Sequence, residues 1–212
     1  MTSRFPFHPA HPRTARLAVG LVCAAPAWLQ AAVLDISFTD ATGAPLADAV
    51  ALLEPATGKV AVKPMADVEI SQAKRQFNPR VTLITTGTRV SFPNFDTVRH
   101  HVYSFSTIKT FELKLYAGVP AMPVVFDQPG VAVLGCNIHD TMAAWVVVSD
   151  TPWAARSVAS GHARIEAVPP GSYLLRYWHP GLSPNVEPPP VPVTVGAADA
   201  ELSARLPVKA AS

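Results

Sequence analysis

Charged residues are scarce in this sequence, and beyond its N-terminal region long apolar runs are absent. Only 15% of its 212 residues are charged and 49% are hydrophobic, a composition that excludes a disordered chain and supplies a sizeable core. After residue 31, no segment holds the roughly 20 apolar residues that a membrane span needs. We therefore expect a globular protein with no membrane span in its mature form.

Short catalytic motifs are lacking too. The sequence has no nucleophile elbow, no paired-carboxylate site and no glycine-rich phosphate loop. These are the patterns that would support acyl transfer, glycoside hydrolysis or nucleotide chemistry. Their absence predicts a protein that is not an enzyme.

The N-terminal region differs from the rest of the chain. Residues 1–31 combine three arginines, no acidic residue and an apolar run from Leu17 to Leu29, followed by small residues. This pattern predicts a secretory signal peptide, a periplasmic location and a mature chain that begins at Ala32 or Val33. An uncleaved membrane anchor is the alternative, although the run is short for a span. Removing the leader lowers the formal net charge from +2 to −1, which leaves no basic surface for nucleic acid.

Cysteine is nearly absent from the chain. Cys23 lies in the predicted leader, so Cys136 is the only cysteine expected in the mature protein. In an oxidising compartment an unpaired thiol is open to oxidation and to intermolecular pairing unless something occupies it. A bound metal ion is the simplest occupant.

Proline is abundant, with 22 residues, and the chain consists largely of short Val, Leu and Thr runs without long amphipathic helical periods. Such runs, bounded by proline and glycine, indicate strands joined by tight turns. We predict an all-β fold.

Soft metal ligands cluster around the remaining cysteine. The β-prone runs Val131–Leu134 and Ala144–Val148 flank a loop that carries Cys136, His139 and Met142. Two imidazoles and a thiolate in a plane, with a weak thioether on the axis, form an electron-transfer copper site. Each residue alone would suit packing or a turn, but three such ligands within seven residues favour a single copper ion.

A further histidine ligand has two candidates. His100 and His101 stand at the head of the predicted strand His-His-Val-Tyr-Ser-Phe. Adjacent residues of a strand face opposite ways, so only one of them should reach the metal. The other can point across the loop and donate a hydrogen bond that orients a ligand.

Residues 64–149 resemble a cupredoxin domain. The spacing Cys-x-x-His-x-x-Met is similar to the ligand loop of amicyanin-like cupredoxins, and the turn Gly87-Thr88, a strand and Asn94-Phe95-Asp96 lead into the first histidine as in that family. The segment also resembles exported proteins labelled "methylamine utilization protein". The resemblance implies a Greek-key β-sandwich, one copper ion that alternates between Cu(I) and Cu(II), and one-electron transfer. It implies the ligands His100, Cys136, His139 and Met142, with His101 where an asparagine is usual.

The remaining residues resemble a second β-sandwich. Thr42-Gly43-Ala44-Pro45-Leu46 and Pro169-Pro170-Gly171 are similar to the early and late turns of carboxypeptidase-regulatory and transthyretin-like domains. Two N-terminal strands alone cannot bury a face. We therefore predict that residues 32–63 and 150–209 form one discontinuous domain, with the copper domain inserted at a loop. The alternative is two consecutive domains, with the N-terminal strands added to the cupredoxin sheet.

Electron transfer has two rivals at this point. A periplasmic copper carrier or store would use the same ligands, but usually has Met-rich or His-rich tracts, which are absent from this sequence. A binding module with an accessory copper site would use the aromatic residues Trp153, Tyr177 and Trp178, for which core packing is the commoner role. His162 and His179 stand alone, so we expect turn or packing residues there. Electron transfer implies a redox partner protein, which no sequence feature identifies.

Overall fold

The structure is a computed structural model that describes Met1 and residues 31–120, 122–183 and 187–209. The predicted signal peptide, residues 1–31, lies outside the described residues except for its two ends. The described residues form strands and turns but no helix, so the predicted all-β class is confirmed. None of them belongs to a helix long and apolar enough to cross a membrane.

Strands follow one another along the whole described chain. In chain order they are β1 (Ala32–Thr39), β2 (Val50–Pro55), β3 (Val68–Glu69), β4 (Ser71–Ala73), β5 (Gln76–Asn78), β6 (Val81–Thr85), β7 (Thr88–Ser91), β8 (His100–Ser106), β9 (Lys109–Tyr116), β10 (Val124–Phe126), β11 (Gly130–Gly135), β12 (Ala143–Ser149), β13 (Ala154–Arg156), β14 (His162–Val168), β15 (Gly171–Trp178), β16 (Val191–Val195) and β17 (Ala200–Arg205).

The strands from the two ends of the described chain form one pair of sheets, here called the outer sandwich. One sheet has the order β14-β1-β17, with β1 antiparallel to β14 and parallel to β17, and the other has the order β13-β2-β15-β16. Burial alternates along β1, so that Leu34, Ile36 and Phe38 point inward. They pack in one apolar core with Leu53 and Leu175 from the facing sheet.

The strands β3 to β12 form the second pair of sheets, here called the metal sandwich. A five-stranded sheet has the order β6-β12-β11-β8-β9, a three-stranded sheet has the order β10-β7-β3, and β4 and β5 form a separate hairpin. Cys136 and Met142 belong to the same buried cluster as Phe92, Phe126 and Val146. The predicted ligand loop therefore lies at the edge of a packed apolar core.

The outer faces of the two sandwiches share a third apolar cluster. Val50 from β2 is buried together with Val81 and Val147 from the metal sandwich, and Leu52 and Trp178 pack against them. This contact explains why β12 is buried almost along its length, since one face meets the metal-sandwich core and the other meets the outer sandwich.

The described strands of each sandwich pair only within that sandwich. Among the described strands, β1 and β2 pair only with strands that lie after residue 150, and β3 to β12 pair only with one another. The strands β1 and β2 lie in different sheets, so the N-terminal strand-turn-strand segment is not a hairpin. The division into an inserted domain and a discontinuous one stays a prediction.

Candidate metal centre

Three potential ligand atoms meet where the five-stranded sheet ends. One atom each of His100, Cys136 and His139 lies within 4.8 Å of the other two. Two of the three side chains are buried and the third is partly exposed. The ring centroids of the two histidines are 5.1 Å apart, with their planes inclined at 60°.

Cys136 follows the last residue of β11 and is 3% exposed. Gly135, just before it, pairs with Tyr103 of β8. A Cβ atom at Gly135 would come within 2.7 Å of Tyr103 Cζ, because the tyrosine ring lies directly over the glycine. The absence of a side chain there lets β11 approach β8 closely, which fixes the start of the ligand loop.

His100 begins β8 and is fully buried. Its Nδ1 lies 3.8 Å from Cys136 Sγ, and its Nε2 lies 2.8 Å from Asp96 Oδ2. The two ring nitrogens therefore have different roles. One faces the thiol, and the other is hydrogen-bonded to a carboxylate.

His101 lies outside the ligand group. The pairing of β8 with β9 shifts register between His100 and Val102, and His101 Nε2 lies 2.9 Å from Glu112 Oε1 on β9. Its ring packs against Tyr103 at a centroid distance of 5.8 Å. The prediction that this histidine donates a hydrogen bond to a ligand of the loop is wrong, because its side chain lies against β9.

His139 lies on the loop between exposed neighbours and is itself partly exposed. Its Nδ1 is buried and has no hydrogen-bond partner. Met142 is 2% exposed, and its backbone N–H donates to the His139 carbonyl at 2.9 Å. This turn brings the thioether side chain into the core cluster that contains Cys136.

Asp96 is anchored by backbone donors from the β4–β5 hairpin. The N–H of Lys74 donates to its Oδ1 at 2.6 Å, and the N–H of Arg75 donates to its Oδ2 at 2.9 Å. Both residues of this tight turn have positive φ, 56° and 57°. Desolvation raises the pKa of Asp96, but the bonds from Arg75, His100 and Lys74 outweigh it and hold that pKa below its ordinary value.

A buried polar network stands behind the site. Tyr116 pairs with His100 in the β8–β9 register, and its hydroxyl donates to the Phe92 carbonyl at 2.6 Å. The Gln72 amide donates to the same carbonyl at 3.1 Å. Desolvation raises the pKa of Tyr116 to about 12, so the hydroxyl stays a donor. These bonds hold β4, β9 and the segment before His100 together.

The ligand set fits copper. A thiol sulfur and an imidazole nitrogen already face each other, and the orphaned His139 Nδ1 has no other bond to lose when it binds a metal. One thiolate with two imidazoles, beside a buried thioether, is the donor set that suits copper. His100, Cys136 and His139 would hold the ion, and Met142, in the same buried cluster as Cys136, is the fourth predicted ligand.

The other sequence candidates lie elsewhere. His162 Nδ1 lies 3.2 Å from Ser37 Oγ on the exposed side of the outer sandwich. His179 Nε2 donates to the Ala47 carbonyl at 3.1 Å, and its Nδ1 accepts from the Gly181 N–H at 2.9 Å. His162 is the first residue of β14 and not the predicted turn residue, whereas His179 bonds two backbone groups, as expected of a packing residue.

The aromatic residues that could form a binding face are packed instead. Trp153 stacks edge-on against Tyr173 at 5.4 Å and donates its indole N–H to the Ala167 carbonyl. Tyr177 stacks edge-on against Phe38 at the same distance, and Trp178 packs into the cluster between the sandwiches.

Asp96 is the site residue that reasoning from the sequence misses. It belongs to the family pattern quoted above, but that pattern assigns it no role. The signal available in the sequence is an acidic residue four positions before a histidine ligand candidate, in a loop just ahead of a strand.

No protein-family model matches the chain, and no curated protein matches it. Among solved structures it is similar to a purple cupredoxin from Nitrosopumilus maritimus. The alignment covers 39% of this chain and 100% of that chain, with 24% sequence identity and a TM-score of 0.35. It is also similar to a point mutant of amicyanin in its reduced Cu(I) form. That alignment covers 46% of this chain and 97% of that chain, with 18% sequence identity and a TM-score of 0.36.

A third similar structure is the copper-containing nitrite reductase NirK from Thermus scotoductus SA-01. The identity is 25% and the TM-score 0.37, over 45% of this chain and 25% of that one. The described residues of this chain form strands and turns without a helix, which is the all-β class that the sequence predicts.

Proposed function

We propose that the protein is an exported type 1 copper protein that transfers single electrons between partner proteins in the periplasm. The observation that carries this proposal is the meeting of His100, Cys136 and His139, whose ligand atoms lie within 4.8 Å of one another. A thiolate with two imidazoles on a rigid β-scaffold is the ligand set of electron-transfer copper sites.

The residues around the group keep its geometry fixed. Copper bound there supplies reversible one-electron chemistry, with one electron in from a donor and one out to an acceptor. His100 begins β8 and Cys136 directly follows β11, the adjacent strand of the same sheet, so strand pairing limits their separation. Gly135 under Tyr103 and Asp96 beside His100 restrict both residues further. A site held in this way rearranges little between oxidation states.

His139 gives the site its contact with the outside. It is partly exposed, whereas His100 and Cys136 are buried. Ile138, just before it, is 48% exposed and offers an apolar surface beside the imidazole. We infer that electrons enter and leave through this edge, and that the protein is a carrier and not an enzyme.

The rest of the chain is proposed to serve export and scaffolding. Residues 1–31 would direct secretion and be removed. Residues 32–63 and 150–209 would form a discontinuous sandwich that packs on the metal sandwich through Val50, Val81 and Val147. The three aromatic residues proposed for a binding face all pack against other side chains, and no contact among the described residues favours the binding-module alternative.

Copper trafficking is the rival that needs an experiment, because it uses the same ligands. The purified protein is loaded with one equivalent of copper and cycled between reduction and re-oxidation in the presence of a strong Cu(I) chelator. We expect the visible spectrum of the oxidised protein to return after each cycle. Loss of copper to the chelator on first reduction would overturn electron transfer and support trafficking.

A further inference from the structure

One hydrogen bond ties a proposed ligand to a residue without an assigned role. Asp96 Oδ2 lies 2.8 Å from His100 Nε2, and the other nitrogen of the same ring lies 3.8 Å from Cys136 Sγ. His100 is fully buried, so solvent water cannot replace either of these two partners of its ring. A carboxylate accepts but does not donate, so Nε2 must carry the proton, which leaves Nδ1 free to bind metal.

Asp96 is held in place independently of His100. Its two oxygens accept the backbone N–H groups of Lys74 and Arg75, and its own N–H donates to Asn94 Oδ1 at 2.9 Å. A carboxylate fixed by backbone donors cannot turn away when the ring changes its partner. The acceptor is therefore preorganised for His100.

The hairpin that carries those donors is itself bound to the segment before His100. The N–H of Gln72 donates to the Pro93 carbonyl at 2.8 Å, and the N–H of Phe95 donates to the Gln72 carbonyl at 2.8 Å. The β4–β5 hairpin, the segment 93–96 and His100 thus form one continuous hydrogen-bonded unit. At one end of this unit, the Nδ1 of His100 lies 3.8 Å from the Sγ of Cys136.

We propose that Asp96 is a positioning residue that fixes the tautomer and orientation of His100 and lowers the reduction potential of the metal centre. This inference rests on the proposed copper function. A carboxylate bonded to the outer nitrogen of a ligand imidazole makes the ring a stronger donor. A stronger donor and a nearby negative charge both favour the more highly charged ion, so Cu(II) is stabilised relative to Cu(I).

The first test compares Asp96→Asn with the wild type by electrochemistry. The substitution keeps the shape of the side chain and removes its charge. We expect Cu(II) affinity to fall about tenfold more than Cu(I) affinity, within the range that residues behind a metal ligand usually show. For a one-electron couple this is a rise of about 59 mV in potential.

Two variants serve as controls for that shift. Asp127→Asn removes the same charge from an exposed carboxylate that pairs with Lys109, and it should leave the potential unchanged. Asp96→Glu keeps the charge and should stay closer to the wild type than Asp96→Asn. An equal rise in the Asp127→Asn variant, or no rise in Asp96→Asn, would overturn the tuning role.

The second test needs no copper, and the wild-type protein alone gives its deciding result. Nitrogen-15 NMR of metal-free wild-type protein at pH 8 reports which nitrogen of His100 carries the proton. We expect a single Nε2–H tautomer with a slowly exchanging proton, and a mixture of tautomers in Asp96→Asn. An Nδ1–H tautomer in the wild type would overturn the positioning role.

The two tests also separate this inference from the function on which it rests. If the wild type binds no copper, the proposed function fails and the NMR measurement alone decides whether Asp96 fixes the ring. If copper binds and cycles but the potential and the tautomer are insensitive to Asp96, the function stands and this inference fails.

Discussion

His100 Nδ1 and Cys136 Sγ lie 3.8 Å apart, although the residues are 36 positions apart in the chain. His100 begins β8 and Cys136 directly follows β11, and these two strands are neighbours in the five-stranded sheet. Pairing of the two strands therefore brings the two residues together at the start of the ligand loop. A centre whose ligands are placed by paired strands should keep its geometry in the metal-free protein.

The two adjacent histidines should behave differently on substitution. His100→Ala removes a proposed ligand, whereas His101 lies beside Glu112 and away from the ligand group. We expect His101→Ala to lower copper affinity less than about tenfold. His100→Ala should lower it more than about 100-fold, which exceeds the loss usual for residues that act on the metal through a ligand. Competition with a chelator measures both affinities. Thermal melts of the metal-free variants correct for lost packing, and equal losses of affinity would contradict the assignment.

Met142→Leu tests the predicted axial ligand. Met142 is 2% exposed in the metal-sandwich core, and leucine conserves its volume, so the free energy of unfolding should change by less than about 1.5 kcal/mol. The visible band should remain because the thiolate remains. The potential should rise, since a donor that favours the oxidised ion is lost, by about 59 mV for each tenfold loss of relative Cu(II) affinity. An unchanged potential would show that the thioether does not bind.

His179 should make the stability of the metal-free protein depend on pH. Desolvation lowers the pKa of this buried histidine, which uses Nδ1 as an acceptor for the Gly181 N–H. Below the ordinary histidine value of about 6.5 the unfolded chain binds the proton first. The free energy of unfolding should therefore fall as the pH drops through that region. Urea titrations at several pH values should show a smaller fall for His179→Gln, and an identical slope would contradict this account.

The proposed inserted domain can be excised. Replacing residues 64–149 with a short Gly-Ser linker should leave a sandwich that unfolds cooperatively, because its described strands pair only among themselves. The excision uncovers Val50, Leu52 and Trp178, which pack against the metal sandwich in the full chain. The excised protein should therefore self-associate, and Leu52→Thr with Trp178→Thr should reduce this. A chain that stays unfolded with both substitutions would favour two consecutive domains.

The sequence predicts the strands around the ligand loop well, because each is a short apolar run bounded by turn residues. The run Val131–Leu134 lies inside β11 and Ala144–Val148 lies inside β12. The strand β9 is not predicted, although Phe111 and Leu113 pack against the core there. Apolar and polar residues alternate along residues 110–115, which is the pattern of a half-buried strand, so the sequence carries a signal for β9.

The surroundings of the ligands are less predictable. The register shift at His100 is a property of β8–β9 pairing, and no local pattern at His101 indicates that its ring will lie beside Glu112. The contact of Asp96 with His100 depends on the distant β4–β5 hairpin, whose turn residues donate to the carboxylate. Local propensity carries no information about such pairings, which form between segments far apart in the chain.

The absorption spectrum of the copper-loaded protein, compared with that of Cys136→Ser, tests the central claim most directly. Cys136 must bind as a thiolate, so addition of Cu(II) should release a proton and produce an intense sulfur-to-copper band that saturates at one equivalent. Cys136→Ser should lack the band and bind copper more weakly while keeping the fold, because serine is close in size to the buried cysteine. Failure of the wild-type protein to bind copper, or binding without the intense band while His100, Cys136 and His139 are intact, would contradict a type 1 copper centre.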